Sequence, residues 1–166
     1  MYAFEERQRF NQWWIWLIVA SQPLFVFLSE STDSFSLASL WPLGFTLFIV
    51  ISLRLFKLET RIHAHGISVR LFPIHLKFKT FTWDELESIS VRSYNPLREF
   101  GGWGYRSWGG KKGNAWNISG NQGLQLQFKS GKELLIGTQQ PEALVQCFEK
   151  LIQESPNSSI PFKNFK

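Results

Sequence analysis

The chain has one cysteine, Cys147, among its 166 residues. A lone thiol excludes an intramolecular disulfide and excludes a zinc site built on cysteine ligands. It fits a reducing compartment. Charge is missing as well, in two long runs. Residues 10–29 and residues 34–53 contain no Asp, Glu, Lys, Arg or His. A proton relay or ion path built on these runs is therefore excluded. The short connection between them, Glu30-Ser31-Thr32-Asp33, has no Lys or Arg.

The two uncharged runs are each twenty residues long. A helix rises about 1.5 Å per residue, so about twenty residues cross a hydrocarbon core of about 30 Å. Trp13, Trp14 and Trp16 stand near one end of the first run, and Trp41-Pro42 within the second. Tryptophan favours the headgroup level of a bilayer. The sequence therefore predicts a transmembrane hairpin with spans at about 10–29 and 34–53. Arg7 and Arg9 precede it, and Arg54, Lys57 and Arg61 follow it. That distribution predicts both termini on the cytoplasmic side of a bacterial cell membrane. Pro23 lies mid-span beside Ser21 and Gln22, either of which could satisfy the carbonyl that proline frees.

The mean hydropathy of −0.12 averages two different materials. Residues 54–166 carry 16 Lys and Arg against 9 Asp and Glu, so the basic excess belongs to the tail. The tail also shows a period of two, the mark of half-buried strands. Ile62, Ala64, Ile67, Val69 and Leu71 alternate with His63, His65, Ser68 and Arg70. Leu76, Phe78 and Phe81 continue the pattern, Trp83-Asp84-Glu85-Leu86 reads as a turn, and Ile89 and Val91 belong to a further strand. Ala115 to Ile118 is a short strand. Leu124, Leu126 and Phe128 lead through Ser130-Gly131-Lys132 into Glu133 to Ile136, the strongest hairpin signal in the chain. A helix is predicted from Pro141 to Glu154, with Pro141 at its first position and Leu144, Phe148, Leu151 and Ile152 as its apolar stripe. Residues 155–166 read as a flexible tail.

The run from Phe81 to Ile89 contains an aromatic followed by Trp83-Asp84-Glu85-Leu86. With the glycine-flanked Tyr105-Arg106 block and the stretch from Ile136 to Leu144, it resembles membrane-anchored bacterial pleckstrin-homology (PH)-like proteins of an uncharacterised family. The resemblance covers roughly residues 58–154 and the hairpin. It implies an α+β membrane protein, in which a two-helix transmembrane hairpin (residues 1–57) precedes a PH-like β-barrel (58–154) capped by a C-terminal helix. It implies no activity.

Residues 101–123 hold eight glycines and three of the chain's eight tryptophans. A phosphate loop fails by residue. Ser107 stands where a dinucleotide fingerprint needs Gly, and Tyr105 and Lys112 stand where a P-loop needs Gly and Ser or Thr. Tryptophan, tyrosine and arginine dominate binding hot spots, and cations near a bilayer attract anionic headgroups. The candidate contact residues are Trp103, Tyr105, Arg106 and Trp108, with Lys111 and Lys112 steering. The other reading of the segment is a turn-rich connection whose tryptophans pack on the barrel.

His63 and His65 would share a strand face, but no Cys or carboxylate stands at ligand spacing beside them, so no metal and no cofactor are expected. Asn117-Ile118-Ser119 and Asn157-Ser158-Ser159 match the glycosylation sequon, which a cytoplasmic domain would not present to that machinery. No nucleic-acid recognition motif is present. The leading expectation is a membrane-anchored, non-enzymatic binding module. It would engage a protein partner, a further copy of itself or lipid headgroups. The alternative is an accessory subunit acting through its hairpin. An enzyme would depend on a histidine or on Asp84 and Glu85.

Overall fold

The computed structural model describes residues 2–10, 13–29, 41–107, 113–154 and 160–163 of the chain. It is an α+β protein of two units, Phe10–Phe56 and Met1–Arg9 with Lys57–Lys166. The first nine residues thus belong with the tail and not with the helices.

The Phe10–Phe56 unit holds α1 (Trp13–Ser29) and α2 (Trp41–Leu55), which pack on each other. The Arg54 guanidinium sits 5.3 Å over the Trp16 ring, and Phe10 meets Phe56 edge-on at 6.1 Å. These helices correct the expectation of an integral membrane protein. Among the described residues, no helix is long and apolar enough to cross a membrane. The helix α1 has 17 residues and α2 has 15. At 1.5 Å per residue they measure about 26 Å and about 22 Å, short of a core of about 30 Å. Local structure limits them. Residues up to Arg9 are drawn into a strand, and Pro42, which has no N–H to give, suits only the first turn of α2. The prediction of transmembrane spans, a membrane location and a cytoplasmic orientation falls with that finding. The connecting residues 30–33 lie outside the described residues. Ser21 donates to the Ile18 carbonyl at 2.7 Å, not to the Val19 carbonyl that Pro23 leaves free.

The other unit is built on two sheets. The first has the order β1-β2-β3-β4: β1 (Phe4–Arg9), β2 (Lys57–His63), β3 (Gly66–Phe72) and β4 (Lys79–Thr82), all antiparallel. The second has the order β10-β5-β8-β9-β7-β6, from β5 (Leu86–Ser93), β6 (Gly104–Ser107), β7 (Asn114–Asn117), β8 (Gln122–Phe128), β9 (Glu133–Thr138) and β10 (Phe162–Lys163). Among the described residues no closed barrel forms, which corrects the predicted PH-like β-barrel. Strands β4 and β6 end their sheets instead of pairing onward. Ala64, expected in a strand, lies in the β2–β3 turn, and residues 76–78 are not strand. Residues 162–163, within the expected flexible tail, pair in parallel with Ile89 and Ser90.

Apolar alternation places the core. Leu58, Ile62, Ile67, Val69 and Leu71 of the first sheet are fully buried, as are Ile89, Val91, Leu124, Leu126 and Leu135 of the second. The helix α4 (Pro141–Glu154) buries Leu144, Cys147, Phe148 and Leu151, while Ile152, expected on the same stripe, is exposed. Phe148 stacks on Phe162 at 4.7 Å and meets Trp83 edge-on at 6.2 Å. A second small cluster of Tyr94, Phe100, Ala115 and Leu135 lies with α3 (Pro96–Phe100). That short helix starts at Asn95, whose side chain accepts the Arg98 N–H at 3.0 Å, while Glu99 accepts the Asn95 N–H at 2.7 Å. Gly66 is needed where β3 meets β4, because an added Cβ would collide with the Phe81 carbonyl oxygen.

The strand β1 carries polar side chains into the interior. Gln8 donates to the Gly137 carbonyl at 2.6 Å. Glu6, 4 % exposed, accepts from the Thr138 hydroxyl and the Gln139 N–H, both at 2.7 Å. This seam ties β1 to the end of β9. Burial pushes the Glu6 carboxyl above its ordinary value, and the Gln139 and Thr138 donors oppose that. Glu6→Ala would strand both donors, and each buried orphan costs about 1–3 kcal/mol. The expected result is a lower midpoint of urea unfolding with an unchanged slope; an unchanged midpoint would remove the seam from the account.

Candidate functional site

Aromatic rings gather where β4, β6 and β7 approach one another. Period-two alternation selects them. On β7, Trp116 faces one way and Ala115 the other, into the cluster with Tyr94 and Leu135. Tyr105 of β6 pairs with Trp116, and Arg106 pairs with Ala115. Tyr105 and Trp116 therefore share a face, and their rings stack at 6.1 Å with an angle of 28°. His75 reaches the same rings, 4.5 Å from Trp116 and 5.5 Å from Tyr105. Phe81 of β4 lies 6.3 Å from Trp116 and 5.2 Å from Phe128 of β8. The Lys79 ammonium sits 5.2 Å over the Trp116 ring, a cation–π contact worth about 0.5–1 kcal/mol at an exposed site.

A groove of about 390 Å³ opens beside these rings. Phe81, Trp116, Phe128 and Leu134 give it apolar walls, and Lys79, Lys132, Glu85 and Glu133 line it with charge. Gly113 lets β7 run close to β9 here. Its φ is +70°, and an added Cβ would lie 2.7 Å from the Glu133 carbonyl oxygen. Two ring nitrogens of the cluster are buried and have no hydrogen-bond partner among the described residues, Trp116 Nε1 and His75 Nδ1. A buried orphan polar atom costs free energy that a bound acceptor or donor can return.

Asn117 holds β6 in place. It is fully buried, donates to the Tyr94 hydroxyl at 3.0 Å and accepts the Gly104 N–H at 2.9 Å. The sequon asparagine is thus consumed by the fold. The second sequon, from Asn157, falls outside the described residues.

Of the six residues expected to bind, the described residues include three, and these do not share one face. Tyr105, 37 % exposed, is on the aromatic face. Arg106 is on the opposite face of β6, with its Nε buried and unpartnered. Trp103 is half-buried, and its indole donates to the Gly120 carbonyl at 3.0 Å. Trp108, Lys111 and Lys112 lie outside the described residues. Sequence reasoning passed over His75, Lys79, Phe81 and Trp116 as contact residues. The alternation around Ala115-Trp116-Asn117 was the available signal for Trp116; nothing local marks Lys79 or Phe81.

Other reactive groups are occupied elsewhere. His63 Nε2 is 3.0 Å from the Ser68 hydroxyl, and its ring lies against Tyr2. His65 is in the β2–β3 turn. Among the described residues, no three His, Cys, Asp or Glu side chains converge as a metal cage would require. Burial pushes the Cys147 thiol up to about 11, so the nucleophilic thiolate is scarce at neutral pH. On the first sheet, Arg61 and Arg7 pair with Glu5, and Arg70 pairs with Glu59. Arg61 and Arg70 also flank the Phe78 ring, at 4.4 and 4.5 Å. These arginines are engaged within the protein.

Fold and surface together define an α+β protein of two sheets with an aromatic, charged groove beside an edge strand. The chain matches no known protein family, no curated protein and no solved structure.

Burial, and then the Lys79 charge, hold the His75 imidazole below its ordinary value near 6.5. The unfolded chain therefore takes up this proton first as pH falls. The contribution of His75 to stability is full above about 6.5 and is lost as pH falls from there toward the folded-state value. Nuclear magnetic resonance (NMR) titration should give His75 a pKa below 6.5, and the drop in melting temperature between pH 7.5 and 5, values chosen to bracket that range (roughly one unit each side), should shrink in His75→Gln. An equal drop in both proteins would contradict the assignment.

Proposed function

We propose that the two-sheet unit is a non-enzymatic binding module that engages a protein partner through the face carrying Tyr105, Trp116, His75 and Phe81. One observation carries the reading: a groove walled by the Phe81, Trp116 and Phe128 rings, with Lys79 and Lys132 among its charged residues and the Trp116 indole N–H without a partner among the described residues. Tryptophan, tyrosine and flanking cations are what protein-binding hot spots are made of. Lys79 and Phe81 stand on β4 and Tyr105 on β6, both sheet edges, and Trp116 stands on β7 beside β6.

A second reading has its own observation. On the helical unit, Trp13, Trp41 and Phe48 are 72 %, 69 % and 65 % exposed. Apolar surface of that extent marks an interaction site. The chain would then act as an accessory subunit through α1 and α2.

Affinity purification of the full chain separates the two. Under the first reading, a partner held by wild type is lost by Tyr105→Ala/Lys79→Ala and kept by Arg106→Ala, on the opposite face of β6. Truncating an aromatic hot spot costs about 2 kcal/mol or more, roughly thirtyfold in Kd. Capture that survives Tyr105→Ala/Lys79→Ala but fails in Gln22→Leu or Pro23→Ala would place the contact on α1.

A further inference from the structure

We infer that the groove beside β4 takes an extended, acidic segment of a partner protein, which adds as a strand along the free edge of β4. This rests on the binding-module reading and specifies the chemistry of the partner.

Three independent observations converge on it. The first is the strand edge. Residues Lys79–Thr82 pair with β3 on one side, and among the described residues no strand pairs on the other; besides its β3 bonds, the strand gives only the Thr82 N–H, to the Glu85 carboxylate. Lys79 and Phe81 of that strand line the groove. A free edge presents a row of N–H and C=O groups, the template for an added strand.

The second is charge. The groove has two carboxylates and two ammonium groups, but they are unequally available. Glu85 accepts the Thr82 N–H at 3.4 Å, and Glu133 accepts the Gln125 and Gln127 amides, each at 3.3 Å. Lys79 and Lys132 are exposed and make no ion pair among the described residues. The lining carries no net charge, but its carboxylates already accept hydrogen bonds, whereas its two ammonium groups hold no acceptor among the described residues and are the ionic donors left for an incoming carboxylate.

The third is the Trp116 indole. The residue is 3 % exposed, lines the groove, and has an N–H with no acceptor among the described residues. It calls for an oxygen atom, as the two lysines do. Phe81 and Phe128, with rings 5.2 Å apart, supply the wall for an apolar side chain. In an added strand, side chains alternate between faces, so every second residue of the segment would meet this wall. A lipid headgroup would answer the lysines and leave the strand edge unused.

The test selects displayed random peptides of roughly twelve residues on the full-length chain, a length that suits strand addition. The tightest peptide is then synthesised plain and in two N-methylated forms, each blocking one alternate set of amides. Selected peptides should carry Asp or Glu beside an aromatic or aliphatic residue. Losing hydrogen bonds to charged groups should raise Kd roughly tenfold or more in Lys79→Glu/Lys132→Glu, whose surface positions leave folding intact. N-methylation of one set should cost a similar factor and the other set little. Trp116→Phe, which keeps a ring and removes the N–H, should also weaken binding. Equal binding by Lys79→Glu/Lys132→Glu, or by both N-methylated peptides, overturns the inference and leaves the binding-module reading standing. If no peptide is selected, both fall, and sedimentation of the chain with phosphatidylserine vesicles would then assign the lysines to lipid.

Discussion

The antiparallel pairing of β1 with β2 is the constraint on which most of this structure depends. Arg9 stands opposite Lys57, and Phe4 opposite Ile62. The chain must therefore leave the sheet after Arg9 and return at Lys57, and everything between becomes an excursion with fixed ends. The pairing confines α1 and α2 to the residues between Arg9 and Lys57. It also carries Glu6 and Gln8 inward, where they bond to Thr138, Gln139 and Gly137. One strand thus sets the limits of the helices and ties the first sheet to the end of β9.

The open edges follow from the same arrangement. With two sheets that do not close into a barrel, β4 and β6 keep free sides, and the rings between them form a groove rather than a sealed core. Asn117 fixes β6, Gly113 lets β7 run close to β9, and alternation then points Trp116 and Tyr105 to one side. Among the described residues, the groove combines apolar walls, an indole N–H without an acceptor, and lysines that make no ion pair. The buried N–H without an acceptor is unfavourable alone and becomes useful when an acceptor-rich ligand arrives.

Much of the tail could be read from the chain because its signals are local. Helix α4 spans Pro141–Glu154, as the proline and the apolar stripe indicate, and the turn at Ser130-Gly131-Lys132 joins β8 to β9. The strand β1 was illegible because its buried residues are Glu6 and Gln8, so its alternation is polar after Phe4. Its partners are more than a hundred residues away. The two uncharged runs were legible as apolar but not as to length, since where each helix starts depends on strand pairing and on Pro42. The site was half legible. Composition singled out the glycine- and tryptophan-rich segment and Tyr105. Lys79, Phe81 and His75 join it only through the meeting of two sheets, which no local pattern encodes.

The most direct test of the account is the indole N–H signal of Trp116 in the NMR spectrum of the ¹⁵N-labelled full chain, titrated with a bound partner segment and assigned through Trp116→Phe. The account predicts a downfield shift as the unpartnered N–H acquires an oxygen acceptor, with backbone shifts along Lys79–Thr82. A partner that binds while the Trp116 indole and the β4 amides stay unmoved would contradict it.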